Sequence, residues 1–549
     1  MIHDIMINNG RIVDGTGNPW YNGDLALFQG KIQAFGNLGE VGAKRSIDAN
    51  RLVVAPGFID AHSHSDTTTL VYRQMESTLM QGITTVVSGH CGGSLAPINP
   101  EMQEYIEKRF STWLPPEVEL KIIWSTFDEY LKEEEKEGLG ANVAHLVGHS
   151  TVRTAAMGMY DRDPTPAELK AMKKLVEEAM EAGAYGLSTG LIYPPGIYAK
   201  TDEIIELAKV VAKYGGVYDS HIRGEAKTLL AAVEEAIAIG ERAGVSVQIS
   251  HHKASGTENW GKSVETLRMI EAARERGIDV TVDQYPYRAG ATVLSILLPP
   301  WAHDGGSEKL LERLQDSALR EKMRDDIEMG LPDWENLAVS GGWENVYVTY
   351  VMTEANKIVE GKNLLEIMEL RGDPDVFTTL FDLLLEEEAS PDMVIFEMHE
   401  DDIQRIMQHP LQMVSTDAGS GTITGPFSKG KPHPRRYGTY PRILGKYVRE
   451  KHVLRLEEAI RKMTSFPAQK FGLLDRGVLR SGMNADITIF DPKTVIDKAT
   501  YQDPHQFPEG IQHVIVNGQI VVEKGKYTGE LAGKTLRKTQ AISPLNHRK

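Results

Sequence analysis

The chain has 549 residues, 41% hydrophobic and 25% charged, which is the balance of an ordinary globular protein able to bury a sizeable core. Its 77 acidic and 60 basic residues give a net charge of −17, which argues against nucleic acid or an anionic membrane surface as a partner. One cysteine excludes an internal disulfide, and because the sequence shows neither a signal peptide nor an apolar run of bilayer length, we predict a cytoplasmic location.

The first 55 residues alternate apolar and polar side chains and are interrupted by Asn9-Gly10 and Asp14-Gly15. This pattern predicts short antiparallel strands joined by hairpins. The same pattern returns in residues 485–490 and 514–522. We therefore predict one small β domain built from both ends of the chain, residues 1–55 and 476–549, the second part including a C-terminal tail.

Between these ends, residues 56–475 contain eight short apolar runs that end in polar or glycine residues, mostly followed by a helical pattern such as that of residues 168–180. Eight such units predict an α/β fold, a TIM-like (β/α)8 barrel, with the functional side chains at the carboxyl ends of the strands. The run ends are Ile59–His64, Val86–Cys91, Ala144–His149, Tyr185–Thr189, Val217–His221, Val247–Lys253, Val280–Tyr285 and Met413–Asp417.

The seventh and eighth runs are separated by far more chain than one β/α unit needs. We predict an insertion at about residues 288–390, of a length suited to a lid or to a contact between copies in a homo-oligomer.

Six side chains at the predicted strand ends are of metal-ligating types. Alone, Cys91 would be interpreted as a small buried hydrophobe, and each histidine as a satisfied polar residue. Their meeting at one barrel mouth instead favours a divalent metal of borderline softness. The six are His62, His64, Cys91, His221, His251 and Asp417.

Seven segments, in the same order, resemble the N-acyl-D-amino-acid deacylase (D-aminoacylase) family of the amidohydrolase superfamily. The His-x-His pair alone is weak support, but the cysteine of the second strand and Tyr193-Pro194-Pro195-Gly196 together specify this branch. The resemblance covers most of the chain apart from much of 288–390. The segments are Ala55–Asp66, Gly186–Gly196, Ser220–Glu225, Ile249–Lys253, Asp283–Tyr287, His433–Thr439 and Gly482–Asp486.

The resemblance implies zinc-dependent hydrolysis of N-acyl-D-amino acids to a carboxylate and a free D-amino acid. It implies one tightly held zinc ion on Cys91, His221 and His251. A second, weaker site would use His62, His64 and Asp417. The family motif usually reads Gly-Asn-Cys-Gly, whereas this chain has His90 before the cysteine. Strand alternation predicts that His90 faces away from the ligands.

Zinc lowers the pKa of water and polarises an amide carbonyl, and Asp417 is the expected general acid/base. Lys253 shares a strand face with His251. Tyr193, Tyr285 and Arg435 lie in segments that bind the substrate α-carboxylate in similar enzymes. The simpler alternative is that Lys253 and Arg435 only balance nearby acids.

Other functions stay open at this stage. Cys91 could be a thiol nucleophile activated by His90, or the barrel could bind metal without catalysis. A different amide or a cyclic amide is another substrate class. Ring-opening relatives use a carboxylated lysine, and the fourth run, residues 185–190, contains none.

Overall fold

Eight parallel strands form the barrel that the apolar runs predict. A computed structural model describes residues 2–39, 41–100, 103, 106–107, 114–115, 117–332 and 334–539. The third strand is interrupted at Leu146, so that its first part pairs with the second strand and its second part with the fourth. The barrel strands are Phe58–Asp60, Ile83–Ser88, Asn142–His145 with Val147–Gly148, Gly186–Gly190, Val217–His221, Ser246–Ile249, Val280–Gln284 and Gln412–Val414.

The first and eighth strands meet at their carboxyl ends, where the ligand candidates lie. The Thr416 backbone N–H and hydroxyl donate to the Asp60 carboxylate over 2.9 and 2.5 Å. The Asp417 N–H donates to the His62 carbonyl over 2.9 Å. These bonds place His62 beside Asp417, although the two residues are 355 positions apart in the sequence.

Amphipathic helices surround the barrel. The helix predicted from residues 168–180 runs from Pro166 to Ala182 and begins with a capping box formed by Thr165 and Glu168. The other helices outside the insertion are Glu76–Met80, Phe127–Glu135, His149–Met157, Thr201–Lys213, Leu229–Ala243, Ser263–Glu275, Glu400–Gln408, Arg435–Arg442, Ile443–Glu450 (a π-helix), Leu456–Met463 and Ser465–Phe471.

The insertion is a folded unit between the seventh and eighth barrel strands. Its antiparallel sheet places Asp392–Phe396 between Ala289–Val293 and Val346–Tyr350, and the central strand lies just past the predicted end of the insertion. It has a hydrophobic core of its own. Its helices are Ser307–Gln315, Ser317–Met329, Leu337–Gly341, Leu364–Arg371 and Val376–Glu386.

The two ends of the chain combine into one nine-stranded sheet, as the alternating patterns predict. Val53–Pro56 joins the two halves of this sheet, because it pairs in parallel with His3–Ile12 and antiparallel with Ile487–Phe490. The other strands are His3–Ile12, Tyr21–Phe28, Lys31–Gly36, Ala43–Asp48, Ile511–Val516, Gln519–Glu523 and Lys526–Tyr527.

No helix within the described ranges is long and apolar enough to cross a membrane.

Candidate metal centre and substrate cavity

The Cys91 thiol lies among three imidazoles at the barrel mouth. Its Sγ is 3.5 Å from His62 Nε2, 3.7 Å from His221 Nδ1 and 3.6 Å from His251 Nε2. Two ligands of one tetrahedral zinc ion, with Zn–S of about 2.3 Å and Zn–N of about 2.0 Å, lie about 3.5 Å apart. The donor types and spacings at Cys91 therefore fit a bound zinc ion.

The shifted pKa values of these groups are also consistent with a bound metal ion. Loss of solvation raises the pKa of the Cys91 thiol well above its ordinary value, and the Asp417 carboxylate adds to the rise. Burial lowers the pKa values of His62 and His221 well below the ordinary value, so both imidazoles are neutral, the form that binds metals. A thiolate at this position needs a positive charge beside it, which a metal ion supplies.

The predicted second set lies on the other side of His62. Asp417 Oδ1 is 3.4 Å from His62 Nε2 and 3.1 Å from His64 Nε2. The ligand atoms of His62, Cys91, His251 and Asp417 all lie within 4.8 Å of one another, as do those of a neighbouring group, His221, Glu225 and His251. The six predicted ligands are thus brought together, with His62 between the two predicted sets.

The four predicted substrate residues line one cavity of about 480 Å³ that opens at the metal candidates. Lys253 Nζ donates to Glu225 over 2.6 Å, and Arg435 Nη1 is 2.7 Å from Asp417 Oδ2. The Arg435 guanidinium lies over the Tyr285 ring at 4.6 Å from its centroid. The edge of Tyr193 faces His221 with ring centroids 5.0 Å apart. Two cations and two aromatic rings therefore surround the space next to the metal candidates.

His90 does not face away as strand alternation predicts. The second strand ends at Ser88, and Gly89 takes a φ of +83°, so the alternation no longer applies. The His90 ring stacks on His62 with centroids 3.9 Å apart, and its Nδ1 is 2.9 Å from Asp219 Oδ1. The nitrogens that contact Cys91 Sγ belong to other histidines, and the thiol pKa is raised, which disfavours a thiol nucleophile activated by His90.

Three buried aspartates under the histidines were missed by the sequence reasoning. Asp60 and Asp219 each precede a ligand candidate by two residues. Within a strand this spacing puts both residues on one face, as for Asp219 and His221 in Val217–His221. Asp283 accepts the His251 backbone N–H over 2.9 Å and the Ser415 hydroxyl over 2.7 Å. The spacing of two residues was the signal that could have identified the first pair.

Three of the ligand candidates have a left-handed backbone. Cys91 has a φ of +52°, His251 of +34° and Asp417 of +49°. Non-glycine residues in this region cost on the order of 1–3 kcal/mol each and cluster at functional sites. Gly190 allows the close packing that holds the Cys91 turn, because a Cβ there would lie 2.2 Å from the Cys91 carbonyl oxygen. The strand ends are therefore bent to aim these side chains at one point.

The insertion contributes carboxyl groups that sequence patterns did not reveal. Glu397 lines the cavity, is 5% exposed, and has an Oε2 with no hydrogen-bond partner within the described part of the chain. Burial raises the pKa of Glu397 to about 8 against the attraction of Lys253. Glu335 is also buried and accepts the Glu225 backbone N–H over 2.7 Å. The insertion is thus part of the cavity wall.

Comparisons with known proteins show the family of the chain. Residues 45–522 match the model of the Amidohydrolase family. The chain is 36% identical to a D-aminoacylase of Alcaligenes xylosoxydans xylosoxydans over 98% of both chains. It is also 36% identical to an N-acyl-D-aspartate deacylase of the same organism, over 98% of this chain and 96% of the relative.

A solved structure matches over 98% of this chain and 100% of its own, with a TM-score of 0.82 and 35% identity. It is the N-acyl-D-glutamate deacylase of Bordetella bronchiseptica in complex with zinc and a phosphonate inhibitor that mimics the tetrahedral intermediate.

A TIM-type barrel that carries candidate metal ligands at its strand ends and is matched over most of its length by deacylases defines a metal-dependent hydrolase. The chain belongs to the amidohydrolase family and, within it, to the branch of the D-aminoacylases and N-acyl-D-amino-acid deacylases.

Proposed function

We propose that the chain hydrolyses the amide bond of N-acyl-D-amino acids and releases a carboxylate and a free D-amino acid. The observation that carries this proposal is the placement of Cys91 within 3.5–3.7 Å of three imidazole nitrogens in the cavity that also holds Arg435 and Lys253. The D configuration is taken from the relatives, which are named for D-amino acid substrates.

Zinc is the proposed metal, held tightly by Cys91, His221 and His251, with a second, weaker site on His62, His64 and Asp417. Mixed sulfur and nitrogen donors at tetrahedral spacing support this choice. When bound, zinc supplies Lewis-acid chemistry, lowering the pKa of water and polarising the amide carbonyl.

Asp417 is the proposed proton carrier. It takes the proton from the attacking water and returns it to the departing amine. Burial alone would raise the pKa of Asp417, but Arg435, His251 and His64 hold it well below its usual range. The carboxylate is therefore ionised, which is the form that a general base requires.

Arg435, Lys253, Tyr285 and Tyr193 are the proposed substrate-binding residues. A guanidinium and an ammonium in a largely buried cavity suit an α-carboxylate, and each charged hydrogen bond contributes about 1.5–3 kcal/mol. Their positions around one space support a shared role in orienting the substrate at the metal candidates.

A panel of N-acetyl-D- and N-acetyl-L-amino acids, assayed with the zinc-loaded and the chelated protein, tests the proposal. We expect turnover of several D substrates that needs zinc and little turnover of their L enantiomers. Zinc-independent activity, or binding of zinc without hydrolysis of any panel member, would overturn it.

A further inference from the structure

Glu225 lies behind both histidines of the proposed tight site. It follows the fifth barrel strand and is 7% exposed. Its Oε1 is 3.0 Å from His251 Nδ1, and its Oε2 is 3.9 Å from His221 Nε2. In each ring the other nitrogen is the one that faces Cys91 Sγ. One carboxylate therefore lies behind two rings whose fronts converge on the thiol, within hydrogen-bond distance of His251 but 3.9 Å from His221.

The same carboxylate also fixes a cation of the substrate cavity. Lys253 Nζ donates to Glu225 Oε1 over 2.6 Å and lies 2.7 Å from His251 Nδ1. Glu225 thus links the metal candidates to the proposed carboxylate site.

The insertion holds Glu225 from the opposite side. Glu335 Oε2 accepts the Glu225 backbone N–H over 2.7 Å and the Thr228 hydroxyl over 3.3 Å. A Cβ on Gly224 would lie 2.3 Å from Glu335 Oε2, so the glycine permits this approach. Contacts therefore run from Glu335 through Glu225 to the two histidines and Lys253.

We propose that Glu225 is a positioning residue that aligns His221 and His251 for metal binding and Lys253 for substrate, and that Glu335 couples the insertion to this centre. The proposal rests on the proposed function for the role of Lys253, but its metal part does not. Carboxylates hydrogen-bonded to the rear of metal-bound imidazoles fix ring orientation, and their loss typically costs 10–100-fold in metal affinity.

The first test measures zinc transfer from the loaded protein to a chromogenic chelator. We expect Glu225→Gln to lower zinc affinity about 10–100-fold and to raise the KM of N-acetyl-D-amino acids through the released Lys253. The matched control is Glu235→Gln, which removes the carboxylate partner of Arg223 near the same loop. Zinc affinity and KM of Glu225→Gln equal to those of the control would overturn the proposal.

The second test addresses the insertion. Glu335→Leu removes the acceptor of the Glu225 N–H, whereas Glu335→Gln retains an acceptor oxygen. We expect faster zinc loss and a raised KM in the leucine variant and recovery of both in the glutamine variant. Glu387→Leu is the control, because Glu387 also accepts backbone N–H groups within the insertion, but those of Met352 and Thr353 instead of that of Glu225. Equal changes in zinc loss and KM in Glu335→Leu and Glu387→Leu would show that Glu335 only stabilises the fold, and would overturn its coupling role.

The outcomes separate this proposal from the proposed function. A wild-type protein that hydrolyses no N-acyl-D-amino acid, with faster zinc loss in Glu225→Gln, retains the metal-positioning role and removes the proposed activity. Normal hydrolysis with unchanged zinc affinity and KM in both variants removes the positioning role and retains the activity.

Discussion

Arg435 Nη1 lies 2.7 Å from Asp417 Oδ2, so the proposed substrate cation is paired with the proposed proton carrier. Both side chains are largely buried, and removing one partner of a buried pair leaves the other charge uncompensated. We therefore expect Arg435 to affect catalysis as well as binding, in contrast to Lys253.

Asp417→Asn should abolish proton transfer, because the amide of asparagine has the size of the carboxylate but does not accept the proton. We expect kcat to fall about 10²–10⁴-fold, the usual contribution of a general acid or base, while the tight zinc remains bound. Zinc content by elemental analysis and steady-state rates are the measurements. Asp401→Asn, at an exposed carboxylate, is the control. Near-normal turnover with zinc bound would remove the proton-carrier role.

Lys253→Met and Arg435→Met should both raise KM for N-acetyl-D-amino acids with bound zinc unchanged. Arg435→Met should also lower kcat because it leaves Asp417 unpaired. Arg435→Lys should restore part of the binding, since it retains the charge without the guanidinium geometry. The discriminating measurement uses substrates whose α-carboxylate is replaced by an amide. If the two variants raise the KM of these amide substrates as much as that of the acids, Lys253 and Arg435 serve charge balance and do not bind the α-carboxylate.

The single cysteine allows the metal site to be followed directly. In zinc-loaded protein the Cys91 thiolate should react slowly with a disulfide reagent such as 5,5′-dithiobis(2-nitrobenzoate), because coordination ties up its lone pairs. Chelation should abolish hydrolysis and leave one thiol per chain that reacts only at alkaline pH, because burial raises the pKa of metal-free Cys91, and added zinc should restore both hydrolysis and protection of the thiol. Cys91→Ser should lose tight zinc. Activity that survives complete chelation would contradict the metal assignment.

Glu397 predicts a pH dependence of stability. The pKa of Glu397 is 4.5 when unperturbed and about 8 in the folded protein. Between these two pH values the folded state therefore holds a proton that the unfolded state has lost. Stability from this group is present in full below about pH 4.5 and falls as pH rises towards 8.

Glu397→Gln should therefore be more stable than the wild type at pH 8, and the gain should shrink towards pH 5. Thermal unfolding of zinc-loaded protein across this range measures the effect. Glu369→Gln, at an exposed carboxylate of an insertion helix, serves as the control. A difference between wild type and Glu397→Gln that is independent of pH would show that Glu397 does not retain its proton on folding.

The barrel was predictable because its strands are apolar runs that end in polar residues, a pattern set by local periodicity. The convergence of His62, Cys91 and Asp417 followed from the rule that barrel strands end on one face. Cys91 and His251, which the resemblance assigns to one zinc ion, lie 3.6 Å apart. These features depend on topology, which eight repeated units determine.

The features that escaped prediction depend on tertiary contacts. The His90 ring lies on His62 because Gly89 bends the chain after the second strand ends. Glu225 was visible in a family motif, but only the fold shows it behind two histidines. Glu335 and Glu397 lie in the insertion, and no periodic pattern in the sequence indicates that this segment packs against the barrel mouth.

The nine-stranded sheet has a consequence for synthesis. Val53–Pro56 needs Ile487–Phe490 on one edge, and about 430 residues separate the two strands. At roughly 5–20 residues per second, the ribosome leaves that edge open for on the order of 20–90 s. An open strand edge is a template for pairing with other chains. The nine-stranded sheet, whose first strands are synthesised first, is therefore completed last. Shielding its open edge during translation should improve the yield of folded protein.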